Sequence, residues 1–452
     1  MVDPASVPPQ DTSRIRPARY LATPWSERRL YRPFVRAALL MGLFPGFALG
    51  AMLLDGRLPG ETAAWRGQLT ELHGVAQVFG WAGLFIIGIA MHLVPRVRGN
   101  APIAFPWPQR IMLALILVGI IARTVGQLVA ATATSDRGEF IAWLLVMSGV
   151  GLVGGIATFV ITLARVLMAG SRTGVAFERW VWAGLSFALV AAVVHLGQAV
   201  AMTHYGGSSV IRALGEAWMQ AGLFGFIGNF VFGLSLRAVA GFLRLRPAYV
   251  WFERSAFAAT NVGIAWVSTA LVLESPVRWT AVGVLIHAIG ILCFVVALRI
   301  FERPAERAAE TGQRPQPSQY PRFGWFLRFA YGWLVVAAIL LGVSAVADFA
   351  ATPLPLRALP ILHTYTVGFV TMMIFGFSVR VLPLLEGRAF SSPWLADAAF
   401  VLTNLSVALR LVGGVFDIPG VEFALRLSGI AGLASLVAFM AAVWPRAIRR
   451  TV

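Results

Sequence analysis

Three stretches of this chain follow one pattern: HGVAQVFGWAGLFIIGIAMHLVPR at 73–96, WMQAGLFGFIGNFVFGLSLRAVA at 218–240 and HTYTVGFVTMMIFGFSVRVLPL at 363–384. Each is apolar over more than the roughly 20 residues a helix needs to cross a bilayer. Aligned on Gly88, Gly233 and Gly376, the spacings are 233 − 88 = 145 and 376 − 233 = 143. Gly80, Gly225 and Gly368 then coincide, as do His92, Arg237 and Arg380, and Pro95 pairs with Pro383. A second pair supports the offset: Arg123 and Gly126 in ARTVGQ match Arg410 and Gly413 in LRLVGG, with 410 − 123 = 287 against 376 − 88 = 288. Membrane helices pack on small residues, so recurring glycines alone say little. The matched Arg and Pro positions point instead to an internal repeat, which defines architecture better than local propensity.

The rest of the chain has the same character. Of 452 residues, 58% are apolar types and 13% charged, which excludes disorder, a coiled coil and an ordinary water-soluble enzyme. Twelve apolar runs lie near 36–55, 72–95, 111–131, 141–168, 180–203, 215–236, 256–274, 279–300, 328–350, 359–383, 394–415 and 422–444. The expected fold is therefore an all-α polytopic membrane protein of twelve transmembrane helices in three four-helix repeats. The glycine motif falls on spans two, six and ten. Residues 1–35 form an N-terminal segment, 36–300 helices one to eight, 301–327 a flexible linker, 328–445 helices nine to twelve, and 446–452 a tail. No signal peptide is visible in the polar, Pro/Arg-rich first thirty residues.

The net charge is +17, and every basic residue is Arg. A basic excess can signal nucleic acid, but these Arg residues sit between apolar spans and form no continuous face. They concentrate on alternate connections, which predicts cytoplasmic N and C termini and a multi-pass place in the inner (cytoplasmic) membrane. The lone Cys293 excludes an intramolecular disulfide and a Cys-based metal cluster.

A few residues do not belong in lipid. Arg123 and Arg410 lie inside spans three and eleven, where a charge costs a few kcal/mol and calls for a partner or a cavity. Snorkelling would satisfy them, as would Glu71, Glu216, Asp348 or a bound anion. His73 opens span two and His363 opens span ten, with 363 − 73 = 290, two residues from the repeat offset. Two neutral imidazoles on facing helices suit the axial positions of a haem iron. A lone His in an apolar span equally well hydrogen-bonds its neighbour. His195 in span five and His287 in span eight read as structural, with a second metal as the alternative. No Ser elbow, P-loop, HExxH or dinucleotide motif occurs in a plausible context, so whether the chain is an enzyme is left open.

Twelve spans, a three-by-four repeat and His in spans two and ten resemble subunit I of the haem-copper oxidase superfamily. LHGVAQVFGWAGLFIIGIAMHLVPR and LHTYTVGFVTMMIFGFSVRVLPLLEGR resemble more specifically the NnrS family. That resemblance implies a haem- and copper-containing membrane protein linked to nitric oxide metabolism and nitrosative stress. It implies His73 and His363 as haem ligands and Arg123 and Arg410 as partners of the haem propionates or another internal anion. An electron-donor protein and nitric oxide, or a related small molecule, become the implied partners beside the bilayer. An oxidase adds a copper-binding His pair at span seven. Spans six and seven carry no His here, and span ten offers His363-Thr364-Tyr365, so copper has no matched ligands. Two other readings remain open: an anion or small-molecule transporter with an intramembrane Arg site, and a non-catalytic membrane subunit of a respiratory complex.

Overall fold

The computed structural model describes residues 30–55, 63–99, 107–132, 138–169, 174–204, 211–303, 320–352, 354, 358–386, 390, 392–415 and 420–448. Most of the N-terminal segment, linker and tail anticipated above lies outside them. Among the described residues every regular element is helical. Twelve helices are long and apolar enough to cross a membrane: α1 Tyr31–Leu54, α2 Arg66–Val97, α3 Trp107–Ala130, α4 Gly138–Ala169, α5 Ala176–His204, α6 Arg212–Leu243, α7 Val250–Val272, α8 Val277–Leu298, α9 Phe323–Phe349, α10 Ala358–Glu386, α11 Pro393–Gly414 and α12 Val421–Trp444. Each coincides with one apolar run of the sequence. The helices outrun those runs where polar residues extend a turn, as at Arg66–Glu71 and at Arg237–Leu243. Helix α9 begins at Phe323, because Tyr320 is anchored by a 2.6 Å hydrogen bond to Asp397 at the start of α11.

The helices form two layers. Successive helices pack against one another around the bundle, and α12 closes the ring against α1. Helices α2, α6 and α10 lie inside, with 94%, 72% and 83% of their most apolar windows buried, against 56% or less for the other nine. Helices hydrophobic all round belong in such a core. The outer helices instead present large apolar side chains such as Trp143, Ile161, Val401 and Ile430 outward, as lipid contact demands.

The glycines of the repeated motif make equivalent contacts. A Cβ on Gly88 would sit 2.6 Å from Phe34 Cβ in α1, on Gly233 3.1 Å from Trp180 Cβ in α5, and on Gly376 2.6 Å from Phe326 Cβ in α9. Two turns earlier, Gly80, Gly225 and Gly368 meet Met41, Phe187 and Trp333 at 2.8, 2.6 and 2.8 Å. Those partners recur evenly too: 180 − 34 = 187 − 41 = 146, and 326 − 34 = 333 − 41 = 292. Each glycine thus lets an inner helix approach the helix preceding it. We predict that Gly376→Ala lowers stability by about 1–3 kcal/mol through overpacking. Gly332→Ala in α9, where an added Cβ meets nothing within 4 Å, is the control; thermal unfolding in detergent compares them.

Part of the backbone irregularity follows the same spacing, while further π-helical segments at Gly42–Ala48 and Ser235–Val239 stand outside it. The inner helices carry π-helical segments at Ala76–Gly83, Gln220–Gly228 and Thr364–Thr371, with starts offset by 220 − 76 = 144 and 364 − 76 = 288. Such segments are rare and concentrate at functional sites. Where the inner helices converge, an apolar cavity of about 40 Å³ is walled by Ile86, Val231 and Ile374 and, one turn on, by Ile89, Leu234 and Phe377. Both triplets are offset by 145 and 288, placing this void where the three motif helices meet in register.

Candidate functional site

A larger cavity, about 130 Å³, opens off that axis among α1, α2, α10, α11 and α12. The π segment of α2 begins three residues after His73, and that of α10 directly after His363. Both imidazoles turn into this cavity. Their ring centroids are 6.3 Å apart and their planes differ by 10°.

Backbone groups fix each ring. His73 Nδ1 donates to Gly46 O in α1 at 2.9 Å, and His363 Nδ1 donates to Leu359 O at 2.8 Å. A carbonyl only accepts, so both imidazoles carry their proton on Nδ1. The lone pair of each neutral ring is therefore on Nε2. A backbone carbonyl on the far nitrogen is the usual way a metal-binding His is oriented. Gly50 makes the approach of α1 possible, since a Cβ there would lie 2.7 Å from His73 Cε1. Trp81 Nε1 donates to Thr371 Oγ1 at 3.2 Å and ties α2 to α10 below the His pair.

Arg410 completes the polar end of the cavity. Its Nη2 lies 2.8 Å from His363 Nε2 and donates to that lone pair. The remaining wall is mostly apolar or small, with Phe47, Val78, Leu223, Val367 and Gly432, and carries Gln77, Thr371 and Ser406 as polar members. Two imidazoles and one guanidinium in a mostly apolar slot can hold a planar, apolar molecule that carries a metal and an anionic edge. Nε2 is the remaining donor atom of each ring, and two imidazoles tethered through Nδ1 are a donor set that suits such a group. The lone pair that accepts from Arg410 is the one a metal would use, so Arg410 must then turn to another acceptor.

The other sequence candidates lie elsewhere. Arg123 does not line this cavity. It is fully buried against Glu71 of α2, whose second carboxylate oxygen accepts from Gln127 Nε2 at 3.1 Å. Arg123 and Arg410 do not line one cavity; Glu71, one of the acidic candidates the sequence offered, is the counter-ion of Arg123. His195 is wholly buried, edge-on to Trp218 and Phe79 at 5.3 and 5.9 Å. His287 is buried edge-on to Phe224 at 5.0 Å. All four nitrogens of these two rings lack a protein partner, and among the described residues no three His, Cys, Asp or Glu converge to hold a metal ion. Of the matched positions at the other end, His92 packs edge-on to Tyr31 and Arg380 lies 5.6 Å from the rings of both Phe242 and Phe323.

Residue patterns gave no sign of Gly46 O, Leu359 O or Gly50, since carbonyl acceptors leave no side-chain signature. Nor did they show that Glu386 at the end of α10 accepts from Tyr31 and Arg32 at the start of α1, tying those two helices together.

This layout is that of a haem-copper oxidase-like membrane protein. The chain is similar in fold to a haem-copper terminal oxidase solved as a dimer by cryo-electron microscopy, with a TM-score of 0.69 and 13% identity over 95% of this chain and 85% of that one. No curated protein matches. The family model described as NnrS protein matches residues 30–450, and the chain belongs to the NnrS family.

Proposed function

We propose that this protein binds a haem between His73 and His363 and acts through it on nitric oxide or a related small molecule in the cytoplasmic membrane, with both termini on the cytoplasmic side. The observation that carries this reading is the facing imidazole pair, each ring tethered through Nδ1 to a backbone carbonyl. The family resemblance supplies the link to nitric oxide.

A bound haem supplies one-electron chemistry and a metal that coordinates small diatomic ligands. The protein's own residues do the rest. His73 and His363 would hold the iron through Nε2, and their Nδ1–H bonds keep the two rings in place. Arg410 would turn from His363 to pair with an anionic group of the haem. Phe47, Val78 and Leu223 give the slot apolar walls. Copper is given no position, since among the described residues no three His, Cys, Asp or Glu converge to hold a metal ion. An electron-donor protein remains part of the reading.

A transporter with an internal anion site is the second reading, favoured by Arg410 facing an open cavity. Optical spectra of the detergent-purified protein, oxidised and dithionite-reduced, with iron measured on the same sample, separate the two. A Soret band with sharp reduced α-bands is expected. A colourless, iron-free protein from haem-replete cells would overturn the haem reading and move attention to anion flux dependent on Arg410.

A further inference from the structure

The end of the bundle where α6 gives way to α7 holds a recess of about 350 Å³ that the haem reading does not use. Its floor is apolar, formed by Leu236, Leu245 and Leu298, and its rim carries Arg237, Arg244 and Arg246. Three guanidiniums around an apolar floor form a site for an anion attached to something greasy.

The segment that builds the rim is held firmly. Leu245 N donates to Ala240 O at 2.9 Å and Arg244 N to Gly241 O at 3.3 Å, ending α6 in a tight cap. Tyr249 N donates to Ala297 O at 3.1 Å, and Arg299 reaches Pro247 O, so the segment is pinned to the end of α8.

Arg244 itself sits at φ 53°, a left-handed conformation that favours glycine. Arg299, at the end of α8, has φ 60° and the same strain. Its side chain has evident work: both ends of the guanidinium bond Glu302, and it stacks 4.2 Å from the Tyr249 ring. Arg244 makes no side-chain hydrogen bond or ion pair among the described residues, and neither does Arg237. Arg246 has only a 3.9 Å approach to Glu302, and that carboxylate is shared with Arg299. The chain thus keeps a strained Arg where glycine would serve the backbone, and aims it at a recess with no protein anion of its own. Strained residues held by their surroundings cluster at binding sites.

The depth of the recess points to a lipid. Tyr249 is 44% and Trp251 80% exposed beside it, and exposed Tyr and Trp mark the headgroup level of a membrane protein. Basic pockets between helix ends at that level accommodate phosphate headgroups.

We infer that the recess rimmed by Arg237, Arg244 and Arg246 binds the phosphate of an anionic phospholipid. The guanidiniums take the phosphate oxygens, and the first acyl carbons lie on Leu236, Leu245 and Leu298.

Arg244→Gly is the discriminating variant, because glycine keeps the left-handed backbone and removes only the charged side chain. Native mass spectrometry of the full chain in detergent, titrated with short-chain phosphatidylglycerol, phosphatidylcholine or inorganic phosphate, reads the site. Saturable phosphatidylglycerol binding is expected, weakened about fivefold in Arg244→Gly and again in Arg237→Gln, with phosphatidylcholine not retained. Inorganic phosphate that binds as tightly, with the same dependence on Arg244, would keep the phosphate chemistry and overturn the lipid source. Phosphatidylglycerol binding that is absent, matched by phosphatidylcholine or unchanged in Arg244→Gly would overturn the inference. Haem content is expected to stay at the wild-type level in every variant.

Discussion

Replacing His363 by alanine is expected to abolish the haem spectrum, and His73→Ala to do the same. Each ring supplies one Nε2 lone pair to a slot whose other polar side chains, Gln77, Thr371, Ser406 and Arg410, are poor partners for a haem iron beside imidazole, Met219 being the one other lining side chain able to ligate it. Each substitution also removes the Nδ1–H bond to Gly46 O or Leu359 O, so the alanine variants report on the ring and its tether together. His363→Met guards against a variant that merely misfolds. A thioether in place of one imidazole should keep haem bound while raising its reduction potential, as Met/His ligation does relative to two His. The measurements are the pyridine haemochrome ratio of haem to protein and a redox titration of the α-band. Haem retained at full stoichiometry in both alanine variants would place the iron elsewhere, and His195 and His287, each with two unpartnered ring nitrogens, would be the next positions to replace.

The two-residue mismatch between the His offset of 290 and the glycine offset of 288 has a geometric origin. Residues at equivalent positions of a three-unit ring face one another only if they point at the common axis. The Ile86, Val231 and Ile374 triplet does so and keeps the repeat spacing. The His pair faces across an off-axis cavity between α2 and α10, so the two rings must leave their helices at different heights and angles. Side chains that meet off the axis are expected to break register, and their break marks a local site within a symmetric scaffold.

Different features were legible in the sequence to different degrees. The twelve spans could be read because a bilayer demands about 20 apolar residues per helix, a signal carried by many residues at once. The glycine register could be read because close helix approach admits no Cβ, so Gly80 and Gly88 and their counterparts could not drift to other residues. The interior position of Arg123 was equally plain, but its direction was not. On α3, one face looks toward Glu71 and another toward lipid, and hydropathy is blind to that angle. The π segments were also hidden, since a wider turn costs little and leaves no required residue type. The His pair was visible as residue types at matched ends of two spans, whereas its fixation depends on backbone carbonyls that every residue possesses.

Glu71→Ala should be the most damaging change outside the haem slot. The carboxylate is buried with Arg123 Nη2 and Gln127 Nε2 against it, and Arg123 has no exposed atom to relax toward. Among the described residues Arg123 Nε and Nη1 already lack protein partners, and beside Glu71 the Nη2 group has Met202 Sδ at 3.3 Å as its other acceptor. Removing the anion therefore strands a cation in a low-dielectric interior beside His195, at a cost of about 3–5 kcal/mol. Removing both charges is a different matter. The desolvation of two ions is then no longer incurred, and Glu71→Gln combined with Arg123→Met should recover much of the loss, since apolar or neutral replacement of a buried pair is often close to neutral. Thermal unfolding of the three variants in one detergent tests this. A double variant as unstable as Glu71→Ala would mean that the pair carries a specific packing role beyond charge cancellation. The haem spectrum should be unchanged in the double variant, because the pair and the His cavity share no side chain. A shifted α-band there would connect Arg123 electrostatically to the iron and restore it to the haem environment that the family resemblance first suggested.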